Sequence, residues 1–129
     1  MSNKRTIAVD LDGTILTCKR PPEGVHIFGK PERKVRECLL FLQKYGFDIL
    51  IHSTRLNHRL HNEAPEWLRM NIDDALCVNK IPFDGIWSGP GKPLAEFYVD
   101  DRAVFYAGDW EETMKEILAR AERSFKNVY

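Results

Sequence analysis

Ile7-Ala8-Val9-Asp10-Leu11-Asp12-Gly13-Thr14 decides the fold: an apolar run delivers two carboxylates, one residue apart, into a glycine turn. In a strand, residues two apart share a face, so Asp10 and Asp12 repel each other unless a cation lies between them or the chain turns at once. Gly13 lets it turn. The pattern suits one carboxylate that attacks, a second that handles a proton, and a hard divalent cation that holds the charge in place. The plainer reading is an Asx turn closing a hairpin, as Asp-Gly often does.

Two further strand tips supply what the first one needs. Ile49-Leu50-Ile51 continues to His52 and ends at Ser53-Thr54-Arg55, whose hydroxyls and guanidinium are groups that hold phosphate oxygens. Gly91-Lys92-Pro93 precedes Phe97-Tyr98-Val99, and that strand ends in Asp100-Asp101. Taken in order, these stretches resemble the four-motif signature of the haloacid dehalogenase superfamily of phosphohydrolases, over roughly residues 5 to 125. The resemblance implies that Asp10 is the nucleophile that becomes an aspartyl-phosphate. It implies that Asp12 is the general acid and base, with its backbone carbonyl on magnesium. Ser53 then hydrogen-bonds the transferring phosphoryl group, with Thr54 one step late for that role. Lys92 neutralises nucleophile and phosphate, and Asp100 and Asp101 hold the magnesium. The Lys-Pro to Asp-Asp-Arg segment is similar to a small, capless branch of the superfamily.

Elementary chemistry makes the same assignments reasonable. A phosphate ester and a carboxylate nucleophile are both anions, so attack needs positive charge between them, which magnesium and Lys92 would supply. Magnesium commonly takes one or two carboxylates plus a substrate phosphate oxygen. The leaving alkoxide needs a proton, and Asp12 could give it if the neighbouring Asp10 raised its pKa. Halide-displacing relatives do not need an acid two residues on and ion-pumping relatives have Thr there, so Asp12 points to a phosphatase or phosphomutase.

Composition excludes much else. At 129 residues and 43% apolar content, one domain spanning 1–129 is expected, burying about two-thirds of the surface its unfolded chain exposes. The 19 basic and 19 acidic residues cancel, so no global field favours nucleic acid or an anionic membrane. Lys30, Arg33, Lys34 and Arg36 read as the solvated first turn and face of a helix. Cys18, Cys38 and Cys77 form no CxxC pair and leave an odd thiol, against a disulfide framework or zinc site. With no apolar run near twenty residues and a polar start, a cytoplasmic chain with no membrane partner is expected.

Along the chain, strands and helices alternate, which implies a doubly wound parallel sheet, in the superfamily a three-layer one, with ligands outside the carboxyl ends of the strands. Pro31 as a first-turn residue, Val35, Cys38, Leu39 and Leu42 at helical spacing, and Gly46 as terminator predict the first helix. A second runs from about Asn62 through Trp67 and Met70 to Ile72. Phe83 to Trp87 reads as a short strand. Asp109 caps the last helix, with Glu112 completing a capping box and Trp110, Met114, Ile117, Leu118 and Ala121 as its buried stripe. The interval from Leu56 to Gly91 is filled by core elements, so no separate cap is expected. The loop at 18–30 is the one candidate roof.

Other tempting residues have plain readings. His58 and His61 lack a third metal ligand nearby and are structural or solvent-facing. His52, at the strand end, is either within reach of substrate or, more commonly for such a residue, a buried, satisfied imidazole; Asp73-Asp74 reads as a helix end or turn, and Trp67, Trp87 and Trp110 as core. Arg55 is either a phosphate contact or a surface ion pair, and Arg102 is similar. The expectation is a magnesium-dependent phosphatase acting on a phosphorylated small molecule or an accessible phosphate on a macromolecule. A catalytically idle binding module and a receiver-like phosphoacceptor are the alternatives. A receiver, however, carries its acid pair after the first strand and a lone Asp at the centre.

Overall fold

A computed structural model describes residues 5–18, 27–57 and 63–128. Four parallel strands form the sheet: β1 (Arg5–Asp10), β2 (Phe47–His52), β3 (Gly85–Ile86) and β4 (Phe97–Val99), in the order β3-β2-β1-β4. Among the described residues three α-helices accompany them: α1 (Val35–Tyr45), α2 (Pro65–Val78) and α3 (Trp110–Val128). The chain is therefore α/β with a parallel sheet, the arrangement that the alternating elements imply.

Period-two alternation sorts β1 and β2 into two faces. Ile7 and Val9 pair in register with Ile49 and Ile51, and this face shares one core with Leu39 of α1 and with Ile72 and Leu76 of α2. The chain steps twice in the same direction across the sheet, and parallel crossovers of one hand, right-handed as a rule, then place both helices on the same face. The opposite face presents Thr6, Ala8, Asp48, Leu50 and Tyr98. Of these only Ala8 is fully buried.

Several boundaries differ from expectation, each for a local reason. Pro31 does not open α1. It forms an antiparallel bridge with Leu16, while Thr17 N donates to Lys30 O (2.7 Å) and Glu32 N to Ile15 O (2.8 Å), closing the base of the 18–30 excursion. Gly29 belongs to that seam, since a Cβ there would run into the Thr17 carbonyl. α1 starts after Lys34, which is left-handed at φ 62°. α2 has Pro65 at its first turn and continues through Asp73-Asp74 to Val78, burying Leu68, Ile72 and Leu76. The expected start at Asn62 lies outside the described residues.

β3 keeps only Gly85 and Ile86. Asp84, just before it, extends the pairing through N–H to Ile49 O (2.8 Å) and Oδ2 to Ile49 N (2.7 Å). Asp109 does cap α3, its Oδ1 accepting from Glu111 N (2.9 Å) and Glu112 N (3.4 Å), while the Glu112 carboxylate pairs with Lys115. The α3 stripe, however, is not buried: Trp110, Met114, Ile117 and Leu118 are 70, 52, 46 and 59% exposed. Trp67 is likewise exposed, and Trp87 half-buried. Cys18, Cys38 and Cys77 form no disulfide, and among the described residues no helix is long and apolar enough to cross a membrane.

Candidate active site

The first strand tip turns as its glycine allows. Gly13 sits at φ 85°, and the Leu11 carbonyl collects Thr14 N, Ile15 N and Leu16 N (3.3, 2.9 and 3.1 Å), so the chain coils back under Asp10. Leu11, Ile15 and Leu16 are fully buried and anchor that coil to the core. β1 and β4 are neighbours, which brings Asp10 beside Asp100 and Asp101. One carboxylate oxygen of each lies within 4.8 Å of the others.

A single hydroxyl ties this cluster together. Thr14 Oγ1 accepts from Asp101 N (3.1 Å) and lies within donating reach of both Asp10 Oδ2 (3.3 Å) and Asp101 Oδ1 (3.4 Å). A hydroxyl has one hydrogen and can satisfy one carboxylate at a time. Asp10 responds to this crowding. Burial first, then the Asp100 charge and a hydrogen bond with Asp101, push its pKa from 3.8 up to about 7. Three carboxylates gathered this way fit a hard cation with oxygen ligands. Nothing in the motif's composition marks Thr14 for this role. Its i+4 offset from Asp10 within a tight turn was the available signal.

The Asp12 side chain is engaged by an arginine. Its two oxygens accept from Arg55 Nε (2.7 Å) and Nη2 (2.9 Å) in a bidentate pair, and Nη2 also donates to Ile27 O (2.6 Å). The guanidinium lies 4.2 Å from the centroid of the Phe28 ring. Arg55 is thus not a surface ion pair but a buried brace between the β2 tip and the 27–28 segment. Asp12 contributes no side-chain oxygen to the three-carboxylate cluster. The sequence carried no signal for this pairing, which joins residues 43 apart across two turns.

The other expected residues meet in a groove of about 860 Å³ lined by His52, Ser53, Thr54, Trp87, Lys92 and Asp100. Ser53 Oγ accepts from Arg55 N (3.1 Å) and caps the single 3-10 turn Thr54–Leu56, which leaves Thr54 more exposed than Ser53. Lys92 is exposed and reaches back over the Tyr98 ring, its Nζ 4.1 Å from the centroid. Tyr98 holds the same loop from below, donating to Pro93 O (2.7 Å) and accepting from Ala95 N (3.2 Å).

Trp87 Nε1 donates to Gly91 O (3.0 Å), and a Cβ on Gly89 would come within 2.7 Å of the Trp87 ring, so the loop lies flush on the indole. The sequence pattern marks neither Trp87 nor Tyr98 as a site residue. His52 is not the satisfied imidazole of the commoner case. Its Nε2 is buried with no hydrogen-bond partner among the described residues, and burial pushes its pKa down while Asp100 pulls it up. Arg102 N donates to Asp100 Oδ1 (2.8 Å), orienting that carboxylate. His58, Arg59, His61 and most of the 18–30 roof lie outside the described residues.

The fold is shared with solved structures. The chain is 25% identical to a conserved protein coded by a locus of Bacteroides thetaiotaomicron, over 98% of each chain with a TM-score of 0.55. It is 28% identical to a target protein from Vibrio cholerae, over 86% of this chain and 94% of that one, with a TM-score of 0.51. No family model and no curated protein matches the chain.

Proposed function

We propose that the chain is a magnesium-dependent phosphatase of the haloacid dehalogenase type, hydrolysing phosphate monoesters through an aspartyl-phosphate on Asp10. The observation that supports this most is the convergence of Asp10, Asp100 and Asp101 within 4.8 Å at one edge of a groove that also carries Ser53 and Lys92. The finer architecture belongs to the same proposal: a three-layer, doubly wound domain without a separate cap, working in the cytoplasm on a phosphorylated small molecule or an exposed phosphate of a macromolecule.

Asp10, Asp100 and Asp101 would hold the cation, which supplies positive charge against the phosphoryl oxygens when bound. An Asp10 oxygen bonds to phosphorus as the ester oxygen departs with a proton from Asp12. Water then attacks phosphorus, Asp12 takes back a proton, and Asp10 is released, so one water enters and one alcohol and one phosphate leave. Ser53, and Thr54 beside it, orient the phosphoryl group, and Lys92 swings from Tyr98 to offset its charge. Asp12 must let go of one arm of Arg55 and take up a proton on the freed oxygen before it can deliver it. Arg55 thereby positions the acid rather than contacting the substrate.

The grip of Arg55 on both Asp12 oxygens also favours a second reading, a binding module that holds cation and phosphate without turnover. Phosphate release from an aryl phosphate separates the two. The phosphatase requires release with magnesium, none in EDTA, and a loss on the order of 10⁴ or more in Asp10→Asn. Binding of magnesium and inorganic phosphate with no release at any pH identifies the module.

A further inference from the structure

Four side chains stand in a row across the sheet at its carboxyl edge. Asp10 and His52 are registered partners on β1 and β2. Asp100 and Trp87 come one residue after the last registered pairs, Val9 with Val99 and Ile51 with Ile86. Val9, Ile51 and Ile86 point into the core, so alternation turns the residues that follow them to the opposite face. The groove agrees, since His52, Trp87 and Asp100 all line it. Neighbouring strands lie about 4.8 Å apart, which puts His52 beside the proposed nucleophile on one side as Asp100 flanks it on the other.

Three of the four are engaged. Trp87 Nε1 donates to Gly91 O (3.0 Å), Thr14 Oγ1 lies within donating reach of Asp10 Oδ2 (3.3 Å), and Asp100 Oδ1 accepts from Arg102 N (2.8 Å). The fourth is not. His52 Nε2 is buried and has no hydrogen-bond partner among the described residues. Leu50 and Ala8, which precede His52 and Asp10 on the same face, carry no polar side-chain atom that could serve it. Nor do they offer the two to four polar partners that a buried water wants. Buried polar groups are nearly always paired, and one left unpaired destabilises the chain that keeps it. An unpaired nitrogen in the wall of a groove, next to a reactive carboxylate, is a donor waiting for an acceptor that binds there.

We propose that His52 is a phosphate-contacting residue, its Nε2–H donating to an oxygen of the phosphoryl group held over Asp10. The place of that group rests on the phosphatase reading, while its turnover does not enter. An attacked phosphorus sits about 3 Å from the Asp10 oxygen, and its own oxygens spread over the neighbouring tips, toward Asp100 on β4 and toward His52 on β2. A neutral imidazole has one N–H and one lone pair, so the contact fixes the hydrogen on Nε2. Lys92 must leave the Tyr98 ring before it reaches a phosphate. His52 is instead set by a registered strand beforehand, and a donor already in place binds without the cost of ordering it.

The test is binding of inorganic phosphate, read by titration calorimetry in magnesium, so that no turnover is needed. His52→Leu removes the unpaired nitrogen and keeps apolar bulk. Phosphate should bind about tenfold or more weakly to it, the effect of losing a hydrogen bond to a charged group. The unfolding midpoint of the free variant should meanwhile rise by roughly 4 °C, because the unsatisfied group is gone. A purely structural imidazole would leave phosphate binding unmoved. His52→Gln carries an amide N–H to about the place of Nε2 and should recover most of the lost affinity. In the parent, the Nε2 nitrogen magnetic resonance should move on adding phosphate and not on adding magnesium alone. Phosphate binding indifferent to His52→Leu overturns the inference, as does a loss that His52→Gln fails to recover or an Nε2 resonance indifferent to phosphate. In each of these the parent still binds phosphate, and the phosphatase reading stands. A parent that binds no phosphate at millimolar concentration overturns both.

Discussion

The two bidentate arginine pairs at opposite ends of β1 make a comparison within one strand. Arg55–Asp12, at the carboxyl tip, leaves its side chains 7 and 17% exposed, whereas Arg5–Glu96, at the foot between β1 and β4, leaves them 54 and 40% exposed. The contrast extends to the halves they belong to. On β1 the residues Ile7, Ala8 and Val9 are buried, while on β4 the residues Phe97, Tyr98 and Val99 are 50, 40 and 45% exposed. The proposed nucleophile and acid therefore grow out of a packed half of the molecule. Asp100, Asp101 and Lys92 are offered by a half with a strand neighbour on one side and little cover. A site split this way has a fixed part and a part that can adjust when cation and phosphate arrive.

Breaking each arginine pair tests that contrast directly, and the buried one should show the largest effect. Arg55→Met removes the guanidinium while keeping apolar bulk against Phe28, and leaves Asp12 in a half-buried pocket without its partner. Losing one member of a buried pair commonly costs about 3 kcal/mol, equivalent to a fall of roughly 10 °C in unfolding midpoint for a chain of this size. Arg5→Met, which removes the same chemistry at an exposed site, should leave the midpoint within the scatter of the measurement. Equal shifts in a thermal melt of the two variants would show that burial does not distinguish the halves.

Next in size is a pH effect at Asp10, where the two halves meet. In the cation-free protein its pKa is raised from 3.8 to about 7, chiefly by burial and then by Asp100. Below pH 4 the group is protonated whether the chain is folded or not. Between 4 and 7 the folded chain keeps a proton the unfolded chain has lost, and above 7 it carries a charge it is poorly placed to hold. Stability from this group is thus present at low pH and lost as pH rises through 7. In EDTA, urea unfolding of Asp10→Asn should match the parent near pH 4 and exceed it near pH 8 by roughly 1–2 kcal/mol, a figure discounted for partial exposure from about 1.4 per pKa unit. Added magnesium should erase the difference by stabilising the parent. A constant gap across pH would deny the crowding of the three carboxylates.

How much of this the sequence carried follows from the range of the interactions. Strand tips were legible because an apolar run that ends in Asp-x-Asp, Ser-Thr or Asp-Asp is a local pattern, and parallel strands bring such tips to one edge. The capping Asp109 and the apolar spacing of α3 were legible for the same reason. Spacing says that a face is apolar, not what covers it, so the exposure of Trp110 and Ile117 was hidden. The Asp12–Arg55 pair was hidden as well, because alternation places each residue on its own turn and gives no distance between turns. Pro31 misled because a proline that fits a first helical turn fits a bridge to Leu16 equally well.

The smallest expected effect lies in the thin half, at the loop that carries Lys92. Trp87 N donates to Ile51 O (2.7 Å), fixing the residue to the end of the sheet, and its indole N–H then holds Gly91 O beside Lys92. Trp87→Phe keeps a ring for Gly89 to rest on and removes that one hydrogen bond, worth about 1 kcal/mol, or fivefold if all of it reaches Lys92. Inorganic phosphate should therefore bind about two- to fivefold more weakly in the variant, with little change in melting temperature. Lys92→Ala supplies the control. If Trp87 acts by positioning the ammonium, the substitution should have no further effect once Lys92 is gone, giving a coupling close to its whole single effect. Additive losses would mean that Trp87 shapes the groove itself and that the loop needs no staple to present its lysine.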